Sequence, residues 1–130
     1  MLSKGLRDEE NEKINRLFNQ VQDIEFVPDL WIKQQRELVN RVLMEATGLN
    51  LSELAAVETV DLYEKLRQKE LSFSNCEQLG DLLMKVLPYE EEENRLKLAE
   101  KTVAVYEFVQ NESKTFSFTL VQKINAAKTE

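Results

Sequence analysis

The stretch TVDLYEKLRQKELSFS, residues 59–74, returns 43 positions later as TVAVYEFVQNESKTFS, residues 102–117. Six of the sixteen positions are identical: Thr59/Thr102, Val60/Val103, Tyr63/Tyr106, Glu64/Glu107, Phe73/Phe116 and Ser74/Ser117. Unrelated segments of average composition would share about one. A period of 20–50 residues marks a supersecondary unit stacked on copies of itself. Within each copy the apolar residues Val60, Tyr63, Leu66 and Val103, Tyr106, Val109 recur every three residues, which places them on one face of a helix.

The rest of the chain repeats that pattern. Ile14, Leu17, Phe18 and Val21 trace a stripe on a helix predicted from Glu9 to Asp23, and residues 1–8 read as a frayed end. Pro28 forces Val27 out of the α region, so the first helix ends before it. Asp29 is the expected cap of a second helix, Leu30 to Ala46. Its stripe of Trp31, Ile32, Leu38, Val39, Val42, Leu43 and Ala46 is interrupted once, at Gln34 to Glu37, and Gly48 stops it. Ser52 and Thr59 are expected caps of two helices with a break near Glu58, one continuous helix being the alternative. Ser74 and Glu77 have the spacing of a capping box that opens a helix ending at Leu87 and Pro88. Glu90 to Glu93 are expected in the first turn of the next helix, whose positive end favours anions. That helix, Asn94 to Gln110, is apolar on nearly every side between Val103 and Val109, so it should be central. Ser117 caps a last helix to Ala127, with Phe116 and Val121 placed as a hydrophobic staple, and residues 128–130 fray.

The expected architecture is all-α: one domain over residues 1–130, about six helices in stacked antiparallel hairpins at about 9–46, 52–87 and 90–127. A fainter third copy links Leu38–Leu43 to Leu82–Leu87, 44 residues on. Three Gly and two Pro in 130 residues suit long helices with short joints. The two clear units resemble tetratricopeptide-type helical repeats over residues 52–127, with a Tyr in the first helix and a capped second helix. They depart from that pattern in period, which is about 34 residues in the family, and in lacking its Leu-Gly pair. The resemblance implies either a short α-solenoid whose concave face holds a peptide or a compact bundle of the same units.

Composition narrows the function classes. The net charge is −7 and there is no His, so the usual general base and metal ligand are missing. Such a chain repels phosphate backbones without a basic stripe, so nucleic acid is not an expected partner. The six Lys/Arg after Asn94 are spread around two helices and read as solvated faces. Cys76, the lone cysteine, falls on an apolar stripe and reads as a buried, inert thiol. No apolar run approaches the roughly 20 residues of a membrane span, and the first residues turn acidic too early for a secretory signal. A cytoplasmic protein without a membrane partner is expected.

No residues suggest catalytic, metal or cofactor chemistry. An enzyme would have to use Glu64 and Glu107 beside Tyr63 and Tyr106, yet a repeated pair implies two equivalent structural roles, whereas an active site is one constellation. The expected function is therefore non-enzymatic: a scaffold or interaction module for another protein or peptide, with self-association into a homo-oligomer as the alternative. The candidate contacts are large side chains that fit the stripes poorly, Trp31 and Tyr89, with Phe26 and Phe118 in joints.

Overall fold

Lys4, Leu6 and Arg7 favour a helix and outweigh Gly5 beside them, and no Pro interrupts the run to Gln22. In a computed structural model, which describes residues 4–130, α1 accordingly runs Lys4–Gln22. The expected frayed end is thus helical from residue 4, and residues 1–3 lie outside the described part. Ile14, Phe18 and Val21 of α1 are buried.

Pro28 opens the next helix at its first position, where the missing N–H costs nothing, and extended Val27 precedes it. Asp29 therefore lies in the first turn and is not the cap. The short α2 (Pro28–Leu30) passes into a π-helical turn, Trp31–Gln35, and then into α3 (Arg36–Thr47). This turn accounts for the interruption at Gln34 to Glu37. One extra residue in the turn resets the phase, so that Trp31 before it and Val39, Val42, Leu43 and Ala46 after it are all buried. Gln35 fastens the joint: its Nε2 donates to the Glu25 carbonyl at 3.0 Å and its Oε1 accepts from the Val27 N–H at 3.0 Å. Gly48 ends α3 at φ +79°, donating to the Met44 carbonyl.

The middle section is three-part. The helix α4 (Leu51–Ala56) is capped by Asn50, not Ser52. Asn50 accepts from the Glu53 N–H at 2.8 Å while Glu53 accepts from the Asn50 N–H at 3.0 Å, a complete capping box. The break falls at Val57 and Glu58 as the sequence indicates, but Thr59 is the first helical residue of α5 (Thr59–Gln68) and Glu58 occupies the cap position. The helix α6 (Phe73–Val86) is capped by Ser72, two residues before the expected Ser74. Its hydroxyl accepts from the Asn75 N–H at 3.1 Å. The Ser72 N–H, which a capping-box Glu would satisfy, instead donates to Asn11 of α1 at 2.8 Å, and Asn75 donates to the same Asn11 side chain. A tertiary contact has taken the place of the local one.

After a 3₁₀ turn, Leu87–Tyr89, the helix α7 (Glu92–Ser113) runs longer at both ends than the sequence suggests. Lys114 closes it in the left-handed region, at φ +56°. The last helix, α8 (Phe118–Lys128), has its expected cap: the Ser117 hydroxyl accepts from the Leu120 N–H at 3.2 Å.

All the elements are helical and there is no strand among the described residues. The packing order is α3, α1, α6, α7, α8, with α4 and α5 laid on α7. Central α7 is wrapped on several sides, as its apolar sequence demands, and buries Leu98, Val105, Tyr106, Phe108 and Val109. The sixteen-residue repeat is not a repeat of environments. Thr59 starts a helix that packs on α7, whereas Thr102 sits fully buried within α7 itself.

Candidate functional site

Of the four aromatic residues proposed from sequence, three belong to the core. Phe26, Trp31 and Tyr89 pack as a triangle with ring centroids 5.0, 5.7 and 5.8 Å apart. Phe26 and Trp31 are buried, and Tyr89 donates to the Phe26 carbonyl at 3.1 Å. The π turn drives Trp31 inward, so neither it nor Phe26 can serve as a surface contact. Its indole N–H donates to Glu90 at 3.0 Å. Glu90 also accepts from the Arg36 guanidinium on both oxygens and from Asn94 at 2.6 Å. This acid, read from sequence as part of a helix-end run, is a buried, fully partnered bolt between the π turn and α7. Of its neighbours, Glu92 and Glu93 do occupy the first turn of α7. The polar cleft of about 510 Å³ beside the bolt, bordered by Ile32, Arg36, Ser52 and Lys97, has its main charged groups already paired.

The repeated Tyr/Glu residues do not converge. Tyr106 is buried and donates to Asp81 at 2.7 Å, and Lys123 bridges Asp81 and Glu77. Tyr63 is half-buried and donates to the Ala104 carbonyl at 2.9 Å. Burial raises the pKa of both hydroxyls, with Asp81 adding to the effect at Tyr106 and Glu107 at Tyr63, so both stay protonated at neutral pH. Glu64 is exposed and pairs with Arg67. Burial likewise pushes the Cys76 thiol up to about 12, which leaves it unreactive at neutral pH. Lys85 donates to the carbonyls of Gln22 and Ile24 and so terminates α1, with its ammonium 4.6 Å from the Phe26 ring centroid.

Two surface features remain. Between α1 and α3 lies an apolar groove of about 330 Å³, floored by Leu17, Val21, Ile24, Leu38 and Val42 and edged by Gln20, Arg41 and Glu45. It exists because α3 lies at the end of the packing order, which leaves Leu38 exposed and Leu17 and Ile24 half-buried. Sequence reading had placed Leu17, Val21, Leu38 and Val42 on stripes but gave no sign that Leu17 and Leu38 would be less covered than Val21 and Val42.

The second feature is Phe118. It is 76% exposed and meets Phe116, itself 68% exposed, edge to face at 4.8 Å. Phe116 therefore packs on Phe118 at the surface, where a staple to Val121 had been expected. Of the sequence-proposed contacts, Phe118 alone stands free.

Among the described residues no helix is long and apolar enough to cross a membrane. Comparison with protein-family models, with curated proteins and with solved structures returned no match.

Proposed function

We propose that the protein is a non-catalytic interaction module that works in the cytoplasm, holding an apolar segment of another polypeptide in the groove between α1 and α3. The observation that carries this reading is the groove itself: exposed Leu38 and half-buried Leu17 and Ile24 stand over buried Val21 and Val42 beside a well-filled core. A cleft of this kind takes up side chains spaced along a peptide, while a rim of polar groups sets their orientation. Arg41 and Glu45 stand at the rim with Gln20, so polar groups of both signs flank the apolar floor. A cytoplasmic setting accords with a single buried thiol.

The test is a selection of displayed peptides on the purified protein, followed by affinity measurement against two surface variants. Leu38→Glu places a charge in the groove at a partly exposed position, and Val60→Glu alters an exposed apolar residue on α5. Selected peptides should carry aromatic or long aliphatic residues that fit the apolar floor. Leu38→Glu should weaken them at least tenfold, while Val60→Glu leaves them unchanged. Peptides that bind the Leu38→Glu variant as well as the parent would refute the assignment.

A further inference from the structure

The joint between α1 and α2, residues 23–27, belongs to no helix, so its carbonyls need partners from outside it. Side chains supply them in sequence. The carbonyls of Ile24, Glu25 and Phe26 accept from Lys85, Gln35 and Tyr89 in turn. Lys85, which stands on α6, also donates to the carbonyl of Gln22, the last residue of α1.

Ile24 is where this fastening meets the groove. Its half-buried side chain lines the groove between α1 and α3, and it also lines a second hollow of about 340 Å³ with Gln34, Gln35 and Glu37. Leu38 and Arg41 belong to both, so the two hollows adjoin and Ile24 is the part of their wall that the joint contributes. We infer that Lys85 is a positioning residue for the groove: by holding the Gln22 and Ile24 carbonyls from α6, it fixes where Ile24 stands. The inference rests on the groove being a polypeptide site and names a residue outside it that governs its shape.

Lys85 touches no part of the groove. It lines a separate cleft of about 420 Å³ with Gln22, Asp81 and Lys123, so any effect on the groove passes through the backbone of the joint. An ammonium has donors enough for both carbonyls, and a charged donor makes the stronger kind of bond. Burial lowers the pKa of this ammonium and Asp23 opposes the shift, which marks a cation partly withdrawn from water. Gln35 and Tyr89 hold the Glu25 and Phe26 carbonyls by themselves. Without Lys85 the slack therefore falls on residues 22–24, where Ile24 sits.

Two variants test it. Lys85→Met keeps an apolar stem and removes every donor, whereas Lys85→Arg keeps the donors and the charge. Both should retain a parental circular dichroism spectrum. Protein isotope-labelled at its isoleucine methyl groups gives a nuclear magnetic resonance signal for each of Ile14, Ile24, Ile32 and Ile124. The Ile24 signal should move or broaden in Lys85→Met and keep its place in Lys85→Arg, with the other three unchanged. Peptides selected on the parent should bind Lys85→Met about three- to thirtyfold more weakly, as for a substitution that acts on a ligand without touching it, and Lys85→Arg within about twofold. Ser72→Ala, a destabilising change at the opposite end of α6, should leave their affinity unaltered, which separates positioning from general loosening.

An Ile24 signal that stays in place in Lys85→Met overturns the inference. So does a loss of affinity in Ser72→Ala or Lys85→Arg equal to that in Lys85→Met. The two levels fail separately. Peptides that bind Leu38→Glu like the parent sink the groove and, with it, this role of Lys85. Peptides weakened by Leu38→Glu but not by Lys85→Met sink the role of Lys85 alone.

Discussion

Gly80 lies inside α6 with its back to Tyr106, and replacing it with Ala should invert the usual sign of a Gly→Ala change in a helix. An ideal Cβ at position 80 would stand 2.4 Å from Cε1, 2.8 Å from Cζ and 2.9 Å from Cδ1 of the Tyr106 ring. Ordinary carbon contacts are about 3.5–4.0 Å, so the ring or the helix must yield by roughly 1 Å. The ring has little room, since Tyr106 is 1% exposed, its hydroxyl is tied to Asp81 at 2.7 Å, and Lys123 stands 5.9 Å from its centroid. Overpacking of this kind costs about 1–3 kcal/mol, and straining a hydrogen bond to a charged acceptor about 1.5–3 more. Against that, Ala gains about 0.8–1 kcal/mol of helix propensity over Gly. The net expectation is a loss of about 2–4 kcal/mol.

Urea titration of the parent and the Gly80→Ala protein measures this directly. Two further proteins sharpen it. Gly5→Ala, where an added Cβ meets nothing within 4 Å, should be neutral or slightly stabilising. In a Tyr106→Leu background the ring is gone, so Gly80→Ala should cost little, and the cycle should give a coupling of at least about 1 kcal/mol. If Gly80→Ala raises the unfolding midpoint, or costs the same with Leu at position 106, the close approach of α6 to α7 described above is wrong.

Ser72→Ala should lower stability by about 0.5–2 kcal/mol in the same assay, as loss of a helix cap does, while Ser74→Ala stays within about 0.5 kcal/mol. The reverse order would move the start of α6. Stability should also fall on the alkaline side. The Tyr106 hydroxyl is held in the protonated form well above the unfolded value of 10.0, so the stability it contributes is complete below about pH 10 and is lost as pH rises toward the folded value. Urea midpoints between pH 8 and 11 should decline, and Tyr106→Phe should make the decline shallower. An unchanged slope would show that burial of this hydroxyl has no linkage to folding.

The parts of this fold that were legible in the sequence are those settled within one helical turn. Gly48 must stop a helix because its backbone takes φ +79°, and Ser117 finds its amide three residues away; both needed only local chemistry. The apolar girth of α7 announced its central place for a similar reason, since no one-sided environment could cover it. Where a long-range partner intervenes, local rules mislead. Ser74 and Glu77 satisfy the capping-box pattern, yet Asn11, more than sixty residues away, takes the Ser72 N–H and moves the cap. The interruption at Gln34 to Glu37 was visible as a phase error in a stripe. Its resolution as a π turn depended on Glu90 accepting from Trp31 and Arg36 across the bundle.

The groove is the extreme case. Leu17 and Leu38 share their stripes with Val21 and Val42, and by the sequence all four are core, yet only the two valines are buried. Whether a stripe is covered depends on whether the packing order supplies one more helix. The order here ends at α3, so identical patterning gives a filled interior between α1 and α6 and an open, apolar surface between α1 and α3. Phe118 is the converse. It was marked as lying in a joint, and it stands in water because Ser117 fixes where α8 begins and so where that ring must point.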